Sequence, residues 1–146
     1  MDKDAIISLK GMQTTVDNQL TTIELMSEAR YYKKDSNFYI IYKETEITGM
    51  EGTTTTVKVA GDAVSLIRFG TVSSTMTFEA GVKHPCNYGT SFGTLDIAIE
   101  ANEVRARLDE YGGDLYVEYE VEVGGQRLGN NNFHLTVKAT NSRESE

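Results

Sequence analysis

Residues Leu115 to Val123 read Leu-Tyr-Val-Glu-Tyr-Glu-Val-Glu-Val, and their alternation decides the fold class. Leu115, Val117, Tyr119, Val121 and Val123 fall on one side of an extended chain, and Tyr116, Glu118, Glu120 and Glu122 on the other. Successive side chains leave a strand on opposite faces, so this segment has one dry face and one wet face, as an antiparallel strand over a core requires. A helix would scatter the same residues around its axis.

The period of two continues outward in both directions. Ile23 and Leu25 alternate with Glu24 and Glu28, and Met76 and Phe78 with Thr75, Thr77 and Glu79. Leu95, Ile97 and Ile99 define one further inner face. Val104, Ala106 and Leu108 stand against Arg105 and Arg107, and Phe133, Leu135 and Val137 against His134 and Lys138. Candidate strands near residues 5–12, 37–46, 53–60 and 63–69 complete the set, although NFYIIYKETE (Asn37 to Glu46) has no clean face. Apolar residues at helical spacing persist nowhere. Gly61-Asp62, Gly112-Gly113 and Gly124-Gly125 supply the positive φ angles of tight hairpins, so successive strands are antiparallel neighbours. The prediction is an all-β chain, a single antiparallel meander of about 8–10 strands closed into a β-barrel, because closure removes both sheet edges. A sandwich is the alternative. Residues 1–140 form one barrel domain, and residues 141–146, without an apolar anchor, fray.

Composition bounds the partners. Twenty-two acidic against 14 basic residues give a formal net charge of -8, which disfavours phosphate backbones, so no nucleic-acid partner is expected. No run approaches the roughly 20 apolar residues of a membrane helix, and no membrane partner is expected. The opening MDKDAIISLK is too short in apolar residues for a secretory leader, and the single cysteine, Cys86, excludes an intrachain disulfide; both point to a cytoplasmic protein.

Several segments resemble a known family. ISLKGMQ near the start, EARYYKKDSNFYIIYKETEITGMEGTTTTVKV from Glu28 to Val59, MTFEAGVKH from Met76 to His84 and DEYGGDLYVEYEVEV from Asp109 to Val123 are similar to the YwiB-like family of small uncharacterised bacterial proteins. The resemblance implies a calycin/lipocalin-like β-barrel, in a cytoplasmic protein, with no established activity to transfer. Two departures stand out: Tyr88 to Gly93 lacks the proline usual in the family, and the chain has no tryptophan of the kind that marks many lipocalins.

Candidate chemistry is sparse. His84 and Cys86 would share a strand face, but the intervening Pro85 favours a loop, and no catalytic set is assigned. Two histidines and one cysteine without short spacing make no metal site, the carboxylates of EYEVE diverge on an outer face, and the Gly-Gly pairs are turn residues rather than phosphate loops. No cofactor is expected. In AVSLIRF, Arg68 shares a face with Val64 and Leu66; the favoured orientation turns Ile67 and Phe69 inward and leaves Arg68 wet, whereas the opposite one would demand a partner for a buried guanidinium. Val57 and Val59 turn Thr53 and Thr55 inward, with backbone or water as the favoured partners of their hydroxyls. Tyr31, Tyr32, Tyr39, Tyr42 and Tyr88 are candidates for a barrel mouth.

Thr53, Thr55, Arg68, Met76, Phe78 and Tyr88 are therefore the candidate ligand-binding residues of a non-enzymatic module for a small amphipathic molecule. Against it, Phe78, Met76, Phe92, Phe133, Leu25, Leu115 and Tyr119 are bulky enough to fill a barrel unaided. The alternative is a homodimeric protein-interaction or assembly factor that uses the outer sheet face, where Tyr116 and Tyr39 stand among charges.

Overall fold

A computed structural model describes residues 2–14, 20–47, 50–71, 73–90 and 93–140. Ten strands follow one another: β1 (Asp2–Thr14), β2 (Leu20–Lys34), β3 (Asn37–Lys43), β4 (Thr53–Ala60), β5 (Ala63–Gly70), β6 (Ser73–Glu79), β7 (Lys83–Thr90), β8 (Gly93–Asp109), β9 (Gly112–Val123) and β10 (Gln126–Ala139). Each pairs antiparallel with its neighbours in sequence, and β1 also pairs with β10 from Ala5↔Ala139 to Gln13↔Asn131, so the sheet closes on itself. The predicted all-β antiparallel barrel is the fold. The described residues include no helix long and apolar enough to cross a membrane. The tail at 141–146 lies outside them.

The strand count agrees with expectation, but the identity of some strands does not. The two segments read as separate strands around Leu95–Ile99 and Val104–Leu108 are one 17-residue strand, β8. A bulge between Ala101 and Glu103 joins them, since Ala101 faces Tyr119 and Glu103 faces Glu118. One extra residue moves the inward set from Ile97, Ile99 and Ala101 to Val104 and Leu108, while Ala106 stays exposed. The segment assigned to a loop, Lys83–Thr90, is instead β7, paired with β8 along its whole length. Pro85 is accommodated because the β6 ladder reaches β7 only at Asn87–Gly89, leaving no bond on that side for the missing N–H to make.

Two orientations are also corrected. On β5, Val64 and Leu66 are buried while Ile67 is 37% and Phe69 77% exposed, so the face carrying Arg68 is the inner one. On β3, the segment without a readable face has one: Ile40 and Tyr42 are buried, and Glu44 continues their phase just beyond the strand.

The core concentrates toward the end where β1 begins and β2 and β10 finish. Ile7, Ile40, Val64, Leu115 and Val117 are all fully buried, each contributing about 1.5–3 kcal/mol by its burial. That end is tied across its diameter. The Tyr31 hydroxyl donates to the Asp109 carbonyl at 2.5 Å, and the Lys3 ammonium, on a nearly buried stem, donates to the Glu110 carbonyl at 3.1 Å. Burial, then the neighbouring Asp109 carboxylate, holds the Tyr31 hydroxyl well above its ordinary pKa, so it remains a donor.

Gly112 and Gly113, read as hairpin turn residues, open β9 instead, with Glu110 and Tyr111 making the turn. Their role is close approach: a Cβ on Gly113, at φ 145°, would lie 1.8 Å from the Arg107 carbonyl oxygen of β8. Gly61, at φ 61°, is a turn residue with open space around it. Gly113→Ala is therefore expected to lower the free energy of unfolding by about 1–3 kcal/mol. Gly61→Asn, a residue that tolerates this backbone region, is expected to stay within about 0.5 kcal/mol. Urea unfolding of the two variants checks both.

Candidate functional site

The β3, β4, β5 and β6 registers place Tyr42 opposite Thr55, Thr55 opposite Arg68, and Arg68 opposite Ser74, a single lateral row on the inner wall. Glu44 extends it: its N–H donates to the Thr53 carbonyl at 2.8 Å, which prolongs the β3–β4 ladder by one residue and keeps the carboxylate on the face of Tyr42. Five polar side chains thus converge on one stretch of the inner wall.

Glu44 is the centre of this row. Its side chain is 1% exposed, and Thr55 Oγ1 donates to its Oε2 in a short hydrogen bond. Arg68, 16% exposed, brings its Nε to 4.0 Å from the same oxygen, an attraction across a gap too long for a hydrogen bond. The Arg68 Nη1 reaches only the Met76 thioether, at 3.6 Å, and its Nε is buried with no hydrogen-bond partner among the described residues. Ser74 Oγ is likewise buried without one. Burial above all, then the Glu44 charge and the hydrogen bond to it, holds the Tyr42 hydroxyl well above its ordinary pKa, with Arg68 acting the other way. Burial raises the Cys86 thiol, and the charge of Arg68 pulls it back.

Of these groups Tyr42, Glu44, Arg68 and Cys86 line a cavity of about 410 Å³ in the half of the barrel where β3 and β5 end and β4 begins. Leu9, Ile23, Ile97, Ile99, Val121 and Leu135 supply apolar wall, Met50 from the β3–β4 connection adds to it, and Glu44 and Arg68 are the charged lining residues. Tyr119 and Phe133 form the floor, each packed edge-on against Phe78 with centroids 4.8 and 5.7 Å away. The interior is therefore filled in one half and hollow in the other, rather than filled throughout by its bulky side chains.

The candidate residues divide accordingly. Arg68 and Met76 line the cavity; Phe78, fully buried, lies beneath its floor. Thr55 stands behind the wall as a donor to Glu44, in place of the backbone or water partner expected for it, and Thr53 is buried where the ladder meets Glu44. Tyr88 belongs to β7 by its backbone; its side chain, and the whole of Phe92, lie outside the described residues. Among the other tyrosines, Tyr42 lines the cavity, Tyr31 stacks on Phe38 at the tied end, and Tyr32 and Tyr39 stack on each other 4.8 Å apart. Glu44 had no signal of its own, because the strand before it showed no face; its phase with Ile40 and Tyr42 was the available clue.

The remaining candidates do not assemble a reactive site. His84 Nε2 lies 3.1 Å from Glu79 Oε1, whereas Cys86 lines the cavity, so the imidazole is engaged away from the thiol. The outer carboxylates do not diverge as expected: Glu100, Glu120 and Glu122 gather around Arg127, and Glu122 also holds Lys83 at 2.9 Å. They converge on cationic side chains. Among the described residues no group of three His, Cys, Asp or Glu is placed to hold a metal ion.

A family model described as "Domain of unknown function (DUF1934)" matches residues 7–135, and the chain belongs to that family. It is 28% identical over 120 residues to the "Uncharacterized beta-barrel protein YwiB" of Bacillus subtilis (strain 168), covering 82% of this chain and 83% of the relative. The crystal structure of the ywiB protein from Bacillus subtilis superposes with a TM-score of 0.77 at 22% identity, covering 94% of this chain and 92% of the other. That likeness carries the barrel fold.

The Thr55–Glu44 contact predicts a difference between neighbouring threonines. Thr55→Val leaves a buried carboxylate oxygen short of a donor and is expected to cost about 1–3 kcal/mol. Thr54→Val, on the outer phase of the same strand, is expected to change stability by less than about 0.5 kcal/mol. Thermal and denaturant unfolding of both variants measure the contrast.

Proposed function

We propose that this member of the family is a non-enzymatic binding module, which takes a small amphipathic molecule into the hollow half of its barrel. The observation that carries this reading is the cavity of about 410 Å³, with aliphatic walls and one polar row. Ligand pockets typically occupy about 300–1,000 Å³ and combine apolar lining with a few placed polar groups, so this volume suits a small ligand. The polar row is compatible with recognition and poor in chemistry. Its carboxylate is tied to Thr55 and Tyr42, and the Cys86 thiol elsewhere in the cavity lining is raised by burial, the opposite of an activated nucleophile.

The test is native mass spectrometry of protein taken directly from cells, together with titration of the neutral fluorophore N-phenyl-1-naphthylamine. The expected result is a co-purifying mass or enhanced probe fluorescence, lost in Val121→Trp, which fills the cavity from β9, with the circular dichroism of the barrel retained. A protein that carries no adduct and leaves the probe dark would overturn the reading.

A second reading, a homodimer or assembly factor working through the outer sheet face, draws support from β5. Phe69 is 77% and Ile67 37% exposed on its outside, and large apolar side chains grouped on a sheet exterior are a mark of association surfaces. Sedimentation velocity over a wide range of concentration is expected, on that reading, to show a dimer that Phe69→Lys dissociates. A monomer throughout would end it.

A further inference from the structure

We infer that the cavity receives the carboxylate of a small amphipathic acid on the Arg68 guanidinium, with the apolar part of the acid against Ile23, Ile97, Ile99 and Val121. The inference rests on the binding reading above and adds the chemistry of the ligand's head.

It follows from the donors of the polar row. A guanidinium carries five N–H donors and no acceptor. In Arg68 the Nε is buried with no partner among the described residues, and Nη1 meets only a thioether sulfur, a weak acceptor. Glu44 does not complete it. Its carboxylate stands 4.0 Å from Nε and is occupied by Thr55 and Tyr42. Ser74, directly opposite Arg68 on β6, holds a second buried polar group, a hydroxyl without a partner among the described residues, set back from the cavity lining. Arg68 is the lining residue that presents unsatisfied donors, and a carboxylate offers two oxygens in the planar geometry that a guanidinium fork matches.

Charge and size narrow the class further. Among the described lining residues Glu44 and Arg68 carry the charges, and since hydroxyls already supply Glu44, the donors left for a ligand head are those of Arg68. A dianionic phosphate would carry more charge than the site balances, and an amine would meet Arg68 as a like charge. A volume of about 410 Å³ corresponds to about fourteen water molecules, room enough for a short or medium chain.

Displacement of N-phenyl-1-naphthylamine by octanoate, octan-1-ol and octylamine tests the head group. The expected result is displacement by octanoate at a concentration about ten- to a hundredfold below that needed for octanol, the effect of hydrogen bonds to a charged group. Arg68→Gln should abolish that preference, with octanol displacement nearly unchanged. Where Arg68→Gln does not fold by circular dichroism, Arg68→Lys, which keeps the charge without the fork, should retain part of the preference. Equal displacement by octanoate and octanol, or a preference for octylamine, overturns the carboxylate assignment while leaving the binding reading intact. A probe that never binds, with no heat from any of the three amphiphiles in calorimetry, overturns the binding reading itself.

Discussion

Nine of the ten ladders in this barrel join strands that follow one another in sequence; the tenth, between β1 and β10, joins the two ends of the chain, and everything inside depends on it. Without it the meander is an open sheet with two long unpaired edges, and the inner face has no opposite wall. Closure also sets capacity. A ring of about eight strands leaves an interior that side chains just fill, and width grows with strand number. With ten strands the aromatic group of Phe78, Tyr119 and Phe133 spans the middle, and the half beyond it stays hollow although bulky residues are not scarce.

The hollow half holds its polar row by mutual constraint. An unpaired buried charge is costly, so Glu44 is tolerated only because hydroxyls from Thr55 and Tyr42 and the charge of Arg68 surround it. The arrangement is asymmetric. The carboxylate is well supplied with donors, while the guanidinium is short of acceptors, and the imbalance opens onto the cavity rather than into the packed core.

How far the sequence discloses this depends on whether the determining interaction is local. β9 was legible because alternating glutamates and valines fix its faces without reference to any neighbour. β7 was not, since Pro85 normally argues against a strand, and its tolerance comes from where the β6 ladder stops. β8 read as two strands because a single bulge inverts its phase, and only the partner register shows the continuity. The inner face of β5 could not be chosen from AVSLIRF alone: Ile67 and Phe69 are the more apolar pair, yet Arg68 turns inward because Glu44, more than twenty positions earlier in the chain, accompanies it. Glycines at 112 and 113 signalled a hairpin correctly and their own task incorrectly, because crowding by Arg107 and Val137 is a property of the assembled sheet. Asp35 and Ser36 turn the β2–β3 hairpin at positive φ with no glycine to announce it.

The Tyr31 and Lys3 bonds to the Asp109 and Glu110 carbonyls give the barrel its polarity. With one end laced shut, the molecule is a cup and not a tube, and nothing can be threaded through it from rim to rim. On the binding reading, an occupant of the hollow leaves by the route it took in, so loading and release share one doorway. Met50 lies on that side of the cavity, and on the same reading a substitution there that hastens delivery hastens escape as well.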